Sequence, residues 1–272
     1  MKILVVGENS RLTKSLVNIS KTSLVVVKKE IYENWFDDSM LILYLKNIGF
    51  SNNDSIIITK SIIDPNYDFN EVNKWNFLFQ KKIIQILERH TIKANVFLIG
   101  SIFEKTLVRN NYLDSKRNLS NYILKNEFSY VKPIVIRLHT LYGIGHPPNN
   151  MFLGQIFNSL KNKTILKMTD GIQFRQYHHY NDVSRYILNI LFGSKFNIKI
   201  IDITGNEWFK LKDLANSIYV HFDCLELLNI GSLKKLKNEP IKKEDQFMSK
   251  GDFKFENSLK RINKYLEKLL NE

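Results

Sequence analysis

Short unbroken runs of apolar, largely β-branched residues recur along the first half of the chain, and between them the apolar positions fall three and four apart. Residues 2–6, 24–27, 55–59, 95–99 and 133–138 are runs of the first kind, the pattern of strands buried on both faces. Residues 12–20, 42–48, 75–90 and 111–125 have helical spacing, and Gly49 stands where the second of these should stop. In 75–90 the apolar set is Phe77, Leu78, Ile83, Ile84 and Leu87. Strand and helix alternate, which predicts right-handed crossovers and a parallel sheet.

The second half is less regular. The stretch Gly143-Ile-Gly-His-Pro-Pro is a loop by composition. Helices are expected at 151–160, 180–191 and 211–220, and an amphipathic one closes the chain at 255–270. Residues 198–204, apolar apart from Lys199 and Asp202, read as a late strand returning to the sheet. The charged segment 229–252 is expected to be partly mobile, and neither an internal repeat nor a low-complexity linker is visible. The predicted class is α/β: a doubly wound parallel sheet with a smaller, mostly helical C-terminal lobe. The sheet domain is expected at 1–145 with a returning segment at 180–204, and the lobe at 146–179 and 205–272.

Composition narrows the setting. At 272 residues and 44% hydrophobic the chain suffices for one large domain with a small lobe. No stretch approaches the roughly 20 apolar residues of a membrane helix, and MKILVVGENS reads as a buried strand rather than a signal segment. Cys224 is the only cysteine, so a reducing cytoplasm is the expected location. The Asn-x-Ser/Thr triplets at Asn18, Asn118 and Asn162 read as chance in so Asn- and Ser-rich a chain. The net charge of +13 raises nucleic acid as a partner. The lysines, however, are spread along the whole length, and no zinc spacing or aromatic RNA-binding signature accompanies them. A solvated basic surface, or one that attracts an anionic substrate such as a nucleotide diphosphate, is the preferred reading.

Candidate chemistry begins at Gly7, which ends the first run just before a helix. Such a turn presents helix N-terminal amides to a pyrophosphate; an ordinary strand–turn–helix reads the same way. The positions that a Rossmann fingerprint fills with its second and third glycines hold Ser10 and Thr13. Gly7, Ser10, Arg11 and Leu12 are the candidate phosphate-turn residues. After the second run come Lys28 and Lys29, where an acid would hold the ribose of NAD and a base the extra phosphate of NADP. NADP(H) is therefore favoured and NAD(H) possible, unless the pair is merely solvated. The strongest constellation is Tyr112-Leu-Asp-Ser-Lys116. A spacing of four sets the phenol and ammonium on one helical face, where the cation favours the phenolate and the tyrosine can pass a proton to a substrate oxygen. The preceding strand ends in Gly100-Ser101, whose hydroxyl is placed to bond the same oxygen. The alternative is a surface tyrosine and lysine.

These segments together resemble the extended short-chain dehydrogenases/reductases, the group of nucleotide-sugar epimerases, dehydratases and reductases. The likeness rests on residues 2–16, Trp75-Asn76, residues 97–101, Tyr112 to Lys116 with Ser115, and Arg137-Leu-His-Thr-Leu-Tyr-Gly143. It continues through Arg175 to Asp182-Val183, and through Asp202-Ile-Thr-Gly205-Asn to Leu214. The resemblance implies a Rossmann-like fold, with Ser101, Tyr112 and Lys116 as catalytic triad and Lys116 also on the nicotinamide ribose. Asn76 would support the site through a water or a helix distortion. Arg175 would clamp a substrate diphosphate, a bidentate task suited to a guanidinium; the other reading pairs it with Asp182. Asn150 and Tyr142 are further substrate-side candidates, whereas His178 and His179 read as packing or surface residues with no metal pattern. Ser101 and Tyr112 are 112 − 101 = 11 residues apart, a short connection that resembles the sugar reductases related to paratose and abequose synthases. The implied activity is reduction of a nucleotide-linked 4-keto-6-deoxy sugar in surface-polysaccharide synthesis, by a homodimer through two helices including the one bearing Tyr112. A 4-epimerase and a non-catalytic dinucleotide sensor are the alternatives.

Overall fold

The computed structural model describes residues 1–21, 24–193, 198–234 and 255–272. Of the segment 229–252, residues 235–252 lie outside the described residues. In chain order the elements are β1 (Ile3–Val6), α1 (Arg11–Ile19), β2 (Leu24–Val27), α2 (Lys29–Tyr32), α3 (Asp38–Asn47) and β3 (Ser55–Ile58). There follow α4 (Phe69–Asn73), a π-helical turn (Lys74–Leu78), α5 (Phe79–Arg89), β4 (Ala94–Ser101), a 3-10 turn (Ile102–Lys105), α6 (Asn111–Lys125) and β5 (Val131–Leu138). Then come β6 (Thr140–Tyr142), α7 (Phe152–Asn162), β7 (Leu166–Met168), β8 (Phe174–Arg175), β9 (Tyr177–His179) and α8 (Tyr180–Phe192). The last are β10 (Ile200–Asp202), β11 (Phe209–Lys210), α9 (Leu211–His221), β12 (Leu228–Ile230) and α10 (Ser258–Leu270). No helix among the described residues is long and apolar enough to cross a membrane.

Six strands pair in parallel in the order β2-β1-β3-β4-β5-β10. All four residues of β1 and of β3 are buried, as unbroken apolar runs require of a sheet covered on both faces. Register aligns Val6 with Val27 and with Ile58, and Ile58 with Leu98, so the carboxyl ends of these strands form one edge. The chain steps from β1 outward to β2, then returns past β1 to β3 before moving on through β4 to β5. Winding therefore reverses between β1 and β3, and ligands of such sheets bind outside the carboxyl ends at that reversal.

The chain divides into two compact units, residues 1–104, 109–138 and 184–203 in the first, and 105–108, 139–183 and 204–272 in the second. Apart from the short excursion at 105–108, the first unit runs unbroken to Leu138, where β5 ends, ahead of the expected residue 145. In the first unit Leu4, Ile56, Val96 and Leu98 of the sheet share one core with Trp35, Trp75, Phe79, Ile83 and Leu87. Burial of each such side chain stabilises by about 1.5–3 kcal/mol. In the second unit α7, α9 and α10 pack Ile156, Phe157, Leu214, Ile218, Ile262 and Leu266 into a separate core. That unit also carries three two-stranded sheets, β6-β9, β7-β12 and β8-β11, so it is less purely helical than its sequence suggests.

Candidate active site

The turn after β1 is built by Gly7, whose φ of 121° lies in the region that favours glycine. A Cβ there would stand 2.5 Å from Thr59 Oγ1 and 2.6 Å from the backbone nitrogen of Lys60. Ser10 caps α1, its hydroxyl accepting from Leu12 N at 3.2 Å, and the first turn of α1 holds Arg11 and no acid. Thr13, in the place of the third glycine, is buried and donates its hydroxyl to Gly7 O at 2.7 Å, with Thr59 Oγ1 also at 2.7 Å. A hydroxyl inside the helix–sheet contact thus takes over the close packing that a glycine would allow. Beyond β2, Lys28 and Lys29 are exposed. An acid reaches that strand end from elsewhere: Glu8, in the first turn, accepts from Lys29 N at 2.8 Å. Nothing in the local pattern around Lys28 reveals it.

Tyr112 and Lys116 lie on α6, which Asn110 starts by accepting from Leu113 N at 2.8 Å. Tyr112 is half-buried, and Lys116 is almost completely buried with its Nζ 5.8 Å from the centre of the Tyr112 ring. Lys116 Nζ donates to Ile99 O at 2.6 Å, so the lysine is pinned to the last residues of β4. Burial pulls this ammonium down to about 8, and the Glu104 carboxylate opposes the drop. Ser101 is the buried last residue of β4, and its Oγ accepts from Phe103 N at 3.3 Å, which leaves its own O–H to donate. Ser101 stands two strands from β1, about 10 Å across the carboxyl edge at the usual strand spacing.

Asn76 is fully buried within the π-helical turn. Its Oδ1 accepts from Ser61 Oγ at 3.0 Å and Ile62 N at 2.8 Å. Its Nδ2 donates to Ile62 O at 2.9 Å and Ser115 Oγ at 3.2 Å, and Ser115 in turn donates to Tyr112 O at 2.6 Å. Asn76 thereby ties the chain after β3 to the first turn of α6 and acts on Tyr112 through the helix. Gln80 takes up a backbone carbonyl that the distorted turn frees, donating to Asn76 O at 3.2 Å.

The remaining candidates belong to the second unit. Arg175, half-buried on β8, donates Nη1 to Phe174 O at 2.8 Å, while Asp182 pairs with Arg261 at 2.5 Å. Asn150 is exposed in the loop before α7. Tyr142 is a packing residue: it is 3% exposed, and its hydroxyl donates to Ser258 O at 3.3 Å. His178 is likewise buried, stacked on Phe255 at 4.0 Å between ring centres, and bonded to Gln176 Oε1 at 3.0 Å. His179 is half-buried beneath Gly143.

The sequence matches no family model and no curated protein. Solved structures do match. MoeE5 in complex with UDP-glucuronic acid and NAD is 13% identical with a TM-score of 0.73, covering 99% of this chain and 100% of that one. RMD from Pseudomonas aeruginosa complexed with NADPH is 15% identical with a TM-score of 0.74, covering 100% of both. A dTDP-4-dehydrorhamnose reductase from Clostridium acetobutylicum is 16% identical with a TM-score of 0.72, covering 99% of both. The chain thus has a Rossmann-type α/β fold, the fold its resemblance to extended short-chain dehydrogenases/reductases implies.

Proposed function

We propose that this protein is an NADPH-dependent reductase of a nucleotide-linked 4-keto-6-deoxy sugar, acting in surface-polysaccharide synthesis. The observation that carries the reading is the Lys116–Ile99 bond. It holds a tyrosine–lysine helix against the end of the strand that bears Ser101, beside the reversal point of a parallel sheet. The fold is shared with proteins solved with NAD, NADPH and UDP-sugars.

The first turn fits a dinucleotide pyrophosphate: a glycine-built turn leads straight into a nine-residue helix whose N-terminus carries Arg11 and no acid. Gly7, Ser10, Arg11 and Leu12 would hold the phosphates, and Lys28 and Lys29 the additional phosphate of NADP. A bound nicotinamide supplies the hydride. The chain's own residues manage the substrate oxygen. Ser101 donates a hydrogen bond to the carbonyl and so favours charge developing on it. Tyr112 delivers the proton. Lys116 commits one N–H to Ile99 O and has two left, for a ribose hydroxyl and for stabilising the phenolate. By the resemblance noted in the sequence, Arg175 is the proposed ligand of the substrate diphosphate and Asn150 a further substrate-side residue. The same reading sets the enzyme in the cytoplasm, where the free thiol of Cys224 stays reduced, as a homodimer through two helices including α6.

The test is NADPH oxidation by purified protein with a panel of 4-keto nucleotide sugars. Turnover with at least one is expected, and Tyr112→Phe should lower kcat by about 10²–10⁴-fold while NADPH still binds. Silence across the panel, where a known reductase works, overturns the reading, as does a fully active Tyr112→Phe.

A further inference from the structure

Glu104 is 5% exposed, in the 3-10 turn between β4 and α6, and no strand or helix periodicity marks it. Its partners come from three elements. Oε1 accepts from Arg137 Nε of β5 and from Ser120 Oγ of α6. Oε2 accepts from Ser101 N of β4 at 3.4 Å. Its backbone oxygen accepts from Arg117 Nε at 2.7 Å, and Arg137 in turn lies 3.6 Å from Asp202 of β10. A Cβ on Gly100 would come within 3.3 Å of Glu104 Oε2 and 2.8 Å of Val135, so the strand end is fitted closely around this carboxylate.

A buried carboxylate is costly unless cations and donors surround it. Arg137 pairs with Glu104, and Glu104 Oε2 sits on Ser101 N, two residues along β4 from the Ile99 oxygen that holds Lys116 Nζ; the carboxylate and the buried ammonium therefore share one strand end, where the carboxylate favours the protonated lysine. Lys116 has a backbone carbonyl and the Tyr112 ring as its other partners, and neither carries a formal charge. The charged groups around this cluster are Glu104, Lys116 and Arg117 with its partner Asp114 at 2.6 Å around the start of α6, Arg137 on β5 and Asp202 on β10.

We propose that Glu104 is a positioning residue for the Ser101–Tyr112–Lys116 site: a buried carboxylate that locks the end of β4 to α6 and β5 and supplies the counter-charge for the Lys116 ammonium. It touches no substrate; it acts by fixing the Ser101 backbone and by keeping Lys116 protonated at neutral pH. The catalytic consequence rests on the function proposed above, whereas the effect on Lys116 does not.

Glu104→Gln keeps the shape and removes the charge. In NMR spectra of protein labelled at lysine Cε and Nζ, with Lys116→Arg for assignment, the Lys116 titration should fall by about one unit. The alkaline limb of kcat/KM should move down with it, so that turnover drops about twofold at neutral pH and about tenfold two units higher, with little change in KM for NADPH. Glu104→Asp keeps the charge, so the Lys116 midpoint should stay while kcat falls. If Glu104→Gln does not fold, Glu104→Asp carries the test. A Lys116 midpoint that ignores the loss of charge, or that moves by a unit when charge is kept, overturns the proposal. Absence of turnover with every sugar, together with a shifted midpoint, refutes the reductase reading and leaves the Glu104–Lys116 coupling standing.

Discussion

Gly7 and Glu8 make opposite demands on the first turn. At Gly7, φ is 121° and a Cβ would press on a backbone nitrogen, which has nowhere to go without moving β3. Gly7→Ala should therefore destabilise the protein by at least about 2 kcal/mol, read as a lower denaturant midpoint; an unchanged midpoint would show that the turn yields. Ser10 and Thr13 look in the sequence like a decayed glycine fingerprint. The turn that they help to build is nonetheless tight, because Thr13 donates to Gly7 O from within the helix–sheet contact. Side-chain hydrogen bonding of this kind is invisible to a motif that counts glycines. Glu8 places a carboxylate at the start of α2, beside Lys29, where the extra phosphate of NADP would have to sit. Glu8→Gln removes a repulsion that the phosphorylated cofactor feels most, and an acceptor charge that favours the ribose hydroxyls of the other. The ratio of NADPH to NADH efficiency should rise by about tenfold, the worth of about 1.4 kcal/mol. A ratio that stays put would remove Glu8 from the cofactor site.

Elements with a clear period were legible in the sequence, and those set by caps or long-range bonds were not. The strands β1 to β5 fall on the apolar runs, and α6 begins and ends where its spacing placed it. The helix expected at 42–48 starts at Asp38 because Asp37 caps it, accepting from Ser39 N at 2.8 Å. The helix expected at 75–90 starts at Phe69, behind the Asp68 cap. The π-helical turn inside it was hidden, since the spaced residues Ile83, Ile84 and Leu87 lie beyond it and their period does not report on Lys74–Leu78. Tyr112 and Lys116 could be found because four residues span one helical turn. Glu104 could not, because its side-chain partners on β5 and α6 lie far along the chain. The π-helical turn has a testable cost. Asn76 makes four side-chain hydrogen bonds, each net worth about 1 kcal/mol, and its loss strands partners in a dry interior. Asn76→Leu should cost about 3 kcal/mol or more by chemical denaturation and lower kcat through the loosened first turn of α6. Asn76→Leu with full stability and full turnover would mean that the distortion is incidental.

Each unit carries its own buried base, and each base responds differently to pH. In the first unit Lys116 is held at about 8 against a usual 10.5. The unfolded chain binds its proton more tightly, so stability rises as pH climbs from about 8 towards 10.5, by about 1.4 kcal/mol per unit. Turnover should fall over the same interval, as the phenolate loses its cation. In the second unit His178 is held down to about 3 by burial, and His139 well below its usual range by burial first, then by its neighbours His178, Arg175 and Lys105, each of which opposes a second positive charge there. Both must stay neutral to remain folded. Stability is therefore complete above the usual 6.5 and is lost as pH falls from there towards 3. The net charge of +13 grows in the same direction, so repulsion reinforces the loss. The second unit should consequently unfold first in acid. Its reporter is built in: Trp208 lies edge-on to His139 at 5.3 Å between ring centres, whereas Trp35 and Trp75 are buried in the first unit. With Trp35 and Trp75 replaced by Phe, the fluorescence of Trp208 should change at a higher pH than the far-ultraviolet circular dichroism of the whole chain. His178→Phe keeps the stack on Phe255, since an aromatic ring still faces it, and removes one of the two bases; the fluorescence transition should then move to lower pH. If it stays where it was, the acid limit of the second unit is set by net charge and not by its buried histidines.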